Sequence, residues 1–167
     1  DDFAIFEVSI ELTEEGDAHV MDVVSLVFAT LALVATHLTE SPWVYDEMAR
    51  LGRQAFCFGD EVAPSEAVLG LANSMQLYDP RHVLSAPYIF ERFDTEAIAQ
   101  LLLLLTPLRV IVFHVSPSHA DTADRQEPWY GTPYAVSDIP PALLSEWADV
   151  AAPSKDIRWP ARNEFIP

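Results

Sequence analysis

The chain has 167 residues, 50% of them hydrophobic, about the size of one domain and enough for a real core. Nine Lys plus Arg against 26 Asp plus Glu leave a formal charge of -17, which repels phosphate backbones and anionic lipid surfaces, so neither nucleic acid nor membrane is an expected partner. The lone Cys57 cannot form an internal disulfide, and its apolar neighbours Ala55, Phe56 and Phe58 predict a buried thiol. A reducing intracellular compartment such as the cytoplasm fits that usage.

The chain opens Asp1-Asp2-Phe3 with no initiator Met or leader, the expectation for a piece of a longer polypeptide. Alternation then places Ala4, Phe6, Val8, Ile10 and Leu12 on one side and Glu7, Ser9 and Glu11 on the other, predicting a half-buried strand. Thr13 followed by Glu14 and Glu15 offers a capping oxygen and acids at the positive end of the dipole, so one long helix is predicted to about Leu38. Along it Asp22, Ser25, Ala29, Ala32 and Thr36 form a narrow small or polar stripe, while Val20, Val24, Val27, Leu31 and Val34 cover the other side. Its most apolar stretch, Val23 to Thr36, has 14 residues. A bilayer span needs roughly 20, so no transmembrane helix is expected.

Ser41-Pro42 predicts a second helix from Pro42 to about Phe56, with Ser41 as the capping side chain. A shorter one is predicted over Ser65 to Met75, after the break at 59–64, and Asp79-Pro80 starts another turn. Asp94 reads as the cap of a helix carrying Ala97, Ile98, Leu101, Leu102 and Leu105 and ended by Thr106-Pro107, its leucine run assigned to the core. Arg109 to Val115 is apolar on both faces and predicts an inner strand. A polar loop follows to Pro128, then an extended stretch over Trp129 to Val136, a short helix over Pro141 to Asp149 and an extended tail beyond Ala151. The predicted fold is α+β, an antiparallel sheet with helices packed on one face. Two strands do not make a stable sheet, so further strands are expected upstream of residue 1.

Glycines at 16, 52, 59, 70 and 131 cannot form a GxGxxG or P-loop. No nucleophile elbow occurs, Cys57 has no histidine near it in sequence, and neither HExxH nor HxxEH is present. His114 and His119 with Asp121 and Asp124 can be drawn as a metal cluster, but they match no standard ligand spacing and read as a solvated loop. His19, His37 and His82 lack a second histidine at ligand spacing, and the 26 carboxylates make chance acid pairs certain. Trp129, Tyr130 and Tyr134 read as packing anchors. The expected sets of catalytic, cofactor-binding and metal-binding residues in this chain are therefore all empty.

LTEEGDAHV (12–20), VLSAPYIFERF (83–93), EPWYGTPY (127–134) and NEFIP (163–167) in this order resemble the insulin-degrading enzyme (insulysin/pitrilysin) family of zinc metalloendopeptidases. The resemblance covers essentially the whole chain and falls on the C-terminal part of the second of four homologous modules. It implies a much longer enzyme whose bowl-shaped halves enclose small or unfolded peptides, with zinc held in the first module and none in this chain. It implies that residues 1–150 are a partial noncatalytic module that walls the chamber and helps anchor substrate, with Phe3 to Val8 flanking the anchoring strand. Residues 151–167 would lead into the linker between the halves, and Trp129, Tyr130, Gly131 and Thr132 would lock the end of the module. Peptide substrates and the other modules are the implied partners, and homo-oligomerisation is left open. The alternative is a stand-alone noncatalytic interaction module of the same fold, and a third reading is an acidic domain that binds basic peptides.

Overall fold

The computed structural model describes residues 5–149 and 157–166. Phe3 and Ala4 of the first expected strand, residues 151–156 of the expected tail and Pro167 lie outside the described residues. Helices dominate: α1 (Glu14–Ala18), α2 (Val20–His37), α3 (Pro42–Cys57), α4 (Pro64–Leu77), α5 (Thr95–Leu104) and α6 (Pro141–Ala148). The one sheet among the described residues is an antiparallel hairpin of β1 (Arg125–Gln126) and β2 (Pro133–Tyr134), pairing Arg125 with Tyr134 and Gln126 with Pro133. This composition is compatible with an α+β class.

The predicted first helix is two. Thr13 caps α1 through its side-chain oxygen, which accepts from the Gly16 N–H at 3.1 Å. His19 then leaves helical geometry (φ -126°, ψ 33°), donating its N–H to the Gly16 carbonyl while its own carbonyl accepts from Asp22 and Val23. One residue thus closes α1 and opens α2. The 18 residues of α2 have mean hydropathy 1.9, long and apolar enough to cross a membrane by length and composition alone, so the shorter estimate from Val23 to Thr36 does not stand. Here α2 supplies the buried Phe28, Ala29 and Leu33. Two of its hydroxyls bond within the helix, Ser25 Oγ donating to the Met21 carbonyl at 2.9 Å and Thr30 Oγ1 to that of Leu26 at 2.8 Å.

The chain divides into two compact units. The first holds residues 1–35 and 101–158. Its centre is Trp147 of α6, 3% exposed, whose ring stacks on Phe28 at 5.4 Å and whose Nε1–H donates to Ser25 Oγ at 2.7 Å. The small stripe of α2 is thus a packing face, because Ser25 and Ala29 leave room for an indole and give it an acceptor. Beside it α6 packs on the 3-10 turn Pro107–Arg109, with Pro107 buried.

The second unit holds residues 36–100 and 159–167. Here Tyr45 of α3 meets Phe93 at 5.0 Å and Phe90 at 5.7 Å, and Phe56 meets Tyr88 at 5.7 Å. Gly52 makes this approach feasible, since a Cβ there would lie 2.8 Å from both the Phe90 ring and the Tyr88 carbonyl. The tail returns to the same unit: Trp159 stacks on His37 at 4.7 Å, Arg162 lies over Trp43, and the Asn163 N–H donates to Glu47 Oε1 at 3.0 Å. Ser41 is buried and makes no side-chain cap, contrary to expectation, and α3 starts on its proline.

Three further expectations fail. Residues 5–13 form no strand and expose Ile5, Phe6, Val8 and Ile10, since alternation fixes which side a residue takes but cannot supply a pairing partner. Cys57 is exposed at the end of α3, because the packing face of that helix is used by Tyr45, Gly52 and Phe56. Leu101, Leu103 and Leu104 are exposed, as consecutive leucines point all round a helix and one side only can be covered.

Arg109 to Val115 also forms no strand. Its backbone is extended at both ends, Val110 at φ -81°, ψ 141° and Ser116 at φ -151°, ψ 145°, and it finds no ladder partner among the described residues. Burial alternates strictly along it: Val110, Val112, His114 and Ser116 are half-buried, while Ile111, Phe113 and Val115 are exposed. Phe113 is 86% and Val115 94% exposed, so one face packs on the unit and the other, equally apolar, is bare.

Candidate functional site

The first unit joins two segments remote in sequence through a chain of polar side chains. α1 projects Asp17 towards the segment 114–119, where period-2 geometry sends His114 and Ser116 to the same side. Asp17 Oδ1 lies 2.6 Å from His114 Nε2, and Asp17 Oδ2 accepts from Ser116 Oγ at 2.9 Å. His114 Nδ1 lies 2.9 Å from His119 Nε2, with the rings edge to face at 4.6 Å. The 3-10 turn Pro117–His119 positions His119, and Ser116 caps it by accepting from the Ser118 N–H at 3.1 Å while its hydroxyl meets Ser118 Oγ at 2.9 Å.

The hydrogen bond from His114 holds the Asp17 carboxyl below the usual carboxylate range, and the Ser116 hydroxyl adds to it against partial burial, which acts the other way. An ionised carboxylate only accepts, so the proton between them sits on His114 Nε2. In neutral His114 the Nδ1 is then an acceptor, which His119 Nε2–H can fill.

This wiring is not the arrangement that activates a nucleophile. In a Ser-His-Asp arrangement the imidazole accepts from the serine hydroxyl. Here Ser116 Oγ bonds to the carboxylate, and both His114 nitrogens are already engaged. Of the four residues drawn as a metal cluster, the structure brings together His114 and His119 and pairs them with Asp17 of α1, not with Asp121 or Asp124. Asp124 instead lies beside Arg125 at 3.8 Å. Sequence reasoning missed Asp17, which lies 97 residues before His114, and no local signal carries that pairing. His19 Nδ1 contacts the Glu15 carbonyl, His37 pairs with Glu40 at 3.6 Å, and His82 serves in a backbone turn after Asp79.

The hairpin tip is a second ordered feature. Glu127 accepts the Trp129 N–H on Oε1 at 2.8 Å and the Tyr130 N–H on Oε2 at 2.7 Å. Gly131 takes a left-handed backbone (φ 69°) that a side chain would oppose, and its carbonyl accepts from Gln126 Nε2 at 2.9 Å. The expected glycine conformation is present, but Trp129 and Tyr130 are 87% and 93% exposed and anchor nothing among the described residues. With Glu127 binding the tip amides, both rings project outwards. In the second unit, Ala49, Arg53, Phe56, Tyr88 and Phe90 line a shallow groove of about 330 Å³.

A family model described as the middle or third domain of peptidase_M16 matches residues 56–167. The chain is 33% identical over 165 residues to insulin-degrading enzyme of Homo sapiens, covering 99% of this chain and 16% of that protein. It is 28% identical over 166 residues to the peroxisomal insulin-degrading enzyme-like 1 of Arabidopsis thaliana, covering 99% of this chain and 17% of that protein. A nardilysin-like protein of Arabidopsis thaliana is 27% identical over 163 residues, covering 98% of this chain. The chain thus spans 16–17% of the length of these relatives.

Proposed function

Because the chain belongs to the peptidase M16 family and matches its middle or third domain, we propose that it is a noncatalytic part of the second module of a zinc metalloendopeptidase of the insulin-degrading-enzyme type. It forms part of the wall of a chamber that encloses small or unfolded peptides and supports the anchoring of substrate. The full-length protein hydrolyses peptide bonds in those substrates. Residues 1–150 belong to the module, and 151–167 lead into the connection between the two halves. Peptide substrates and the other modules of the same polypeptide are the partners.

Zinc in such an enzyme would supply Lewis-acid chemistry for peptide hydrolysis. The residues here do not fit that ion. The ring nitrogens that come together, His114 Nδ1 and His119 Nε2, hydrogen-bond each other, and Asp17 takes the remaining His114 nitrogen. No group of three His, Cys, Asp or Glu converges with metal-holding geometry among the described residues. On this reading the hydrolytic step belongs to other modules, and the side chains here act by packing and by shape.

The observation that carries this reading is the bare apolar face of Ile111, Phe113 and Val115 on a segment whose other face is already packed. A sheet strand of a larger module has this pattern, its second face covered by structure contributed elsewhere. The outward Trp129 and Tyr130 rings fit the same role. The test is Phe113→Ser in the full-length protein. Burial by the parent predicts a loss of about 1.5–3 kcal/mol in the unfolding free energy. A change within about 0.5 kcal/mol, as for an open surface position, contradicts the reading.

A further inference from the structure

We propose that Asp17, His114 and His119 form an acid-opened latch that fixes the path of the chain from 114 to 124, the loop that leads into the aromatic hairpin. The proposal goes beyond the peptidase reading and does not depend on it.

It follows from counting protons on the two imidazoles. In the neutral form His114 Nε2–H donates to Asp17, and His119 Nε2–H donates to His114 Nδ1, across 2.6 and 2.9 Å. One added proton is accommodated by the pair without breaking either bond, since the ring that gains it still donates across the His114–His119 contact. It leaves one imidazolium close to one carboxylate. A second proton can go only to the nitrogen that accepts in that contact. Two N–H groups then face each other where one hydrogen bond stood, and two positive rings share a single counter-charge. Among the described residues the charges that bear on Asp17 are these two imidazoles alone. The other titratable groups of the facing segments are Glu14, Glu15 and His19 around α1 and Asp121 and Asp124 on the loop, none of which bonds to the latch.

Protonation of both rings therefore separates His119 from His114, while Asp17 keeps its bond to the charged His114. What His119 releases is specific. Its carbonyl accepts from the Thr122 and Ala123 amides at 3.1 Å each and from Thr122 Oγ1, and its own N–H donates to the Ser116 carbonyl. The turn and the start of the loop hang on that residue.

Amide hydrogen exchange read by mass spectrometry on the full-length protein tests this, with labelling times scaled to hold the intrinsic exchange rate constant. Between pH 7.5 and 5.5 the peptide covering 116–124 should lose about tenfold in protection in the wild type. In His119→Gln, whose side-chain amide still donates to His114 Nδ1 but takes up no proton, protection should stay within about twofold over the same range. A flat wild-type profile overturns the proposal whether or not the variant folds. An equal acid step in wild type and His119→Gln overturns it as well.

Discussion

Asp94 opens α5 by accepting the Ala97 N–H on Oδ1 at 3.0 Å, with Arg92 bonded to its other oxygen. The Ala97 amide first, and the Arg92 guanidinium second, hold its carboxyl below the usual range. The sign is fixed: a carboxyl lowered by folding contributes stability that is complete above its unfolded value and is lost as pH falls through the folded one. Asn also caps well but carries no charge. Urea melts should therefore find Asp94→Asn less stable than wild type at pH 7, and the gap should close as pH falls towards 2. A gap that stays constant across that range would show that the charge contributes nothing. Asp94 was legible in the sequence because an N-cap acts within one turn. Asp17 was not, because its partner His114 is brought to it by the packing of the first unit.

At the scale of elements, the helices carrying their own start signals were read nearly in place. Pro42, Pro64 and Pro141 each stand at the first turn of a helix, and Asp94 precedes another. The strands were not, for a physical reason: a helix closes its hydrogen bonds within itself, whereas a strand exists only when another lies beside it. Residues 109–116 keep the period-2 burial of a strand without the ladder. The break at His19 was hidden because the apolar pattern runs through it, and only the dihedral angles reveal the pivot. Packing of α6 on α2 turns on Trp147, a tryptophan with both a ring partner and a hydrogen-bond acceptor. Trp147→Ala should cost about 3–5 kcal/mol. Trp147→Phe, which keeps a ring and loses the bond to Ser25, should cost less than the alanine variant. Equal costs in chemical denaturation would deny the Ser25 bond any part in joining the elements.

For the whole molecule, the charge of -17 and the exposed apolar residues pull in opposite directions. Carboxylates keep the surface solvated, while Phe113, Val115, Trp129 and Tyr130 present area that water opposes. The proposed place of this segment within a longer polypeptide would reconcile the two, with the apolar faces against neighbouring modules and the acids towards solvent or peptide. The four short motifs made the family legible because their order is specific even where each alone is weak. Substrate contacts were not legible, since no motif of the chain carries a residue pattern tied to one ligand chemistry.

In the proposed role this segment contributes wall, while the reactive ion is bound by other parts of the parent polypeptide. The direct measurement is a structure of the full-length protein with zinc and a slowly cleaved peptide bound. Zinc ligated by residues outside 1–167, with the scissile bond beside that ion, is the expected result. Zinc coordinated by side chains of this chain next to the scissile bond would contradict the account.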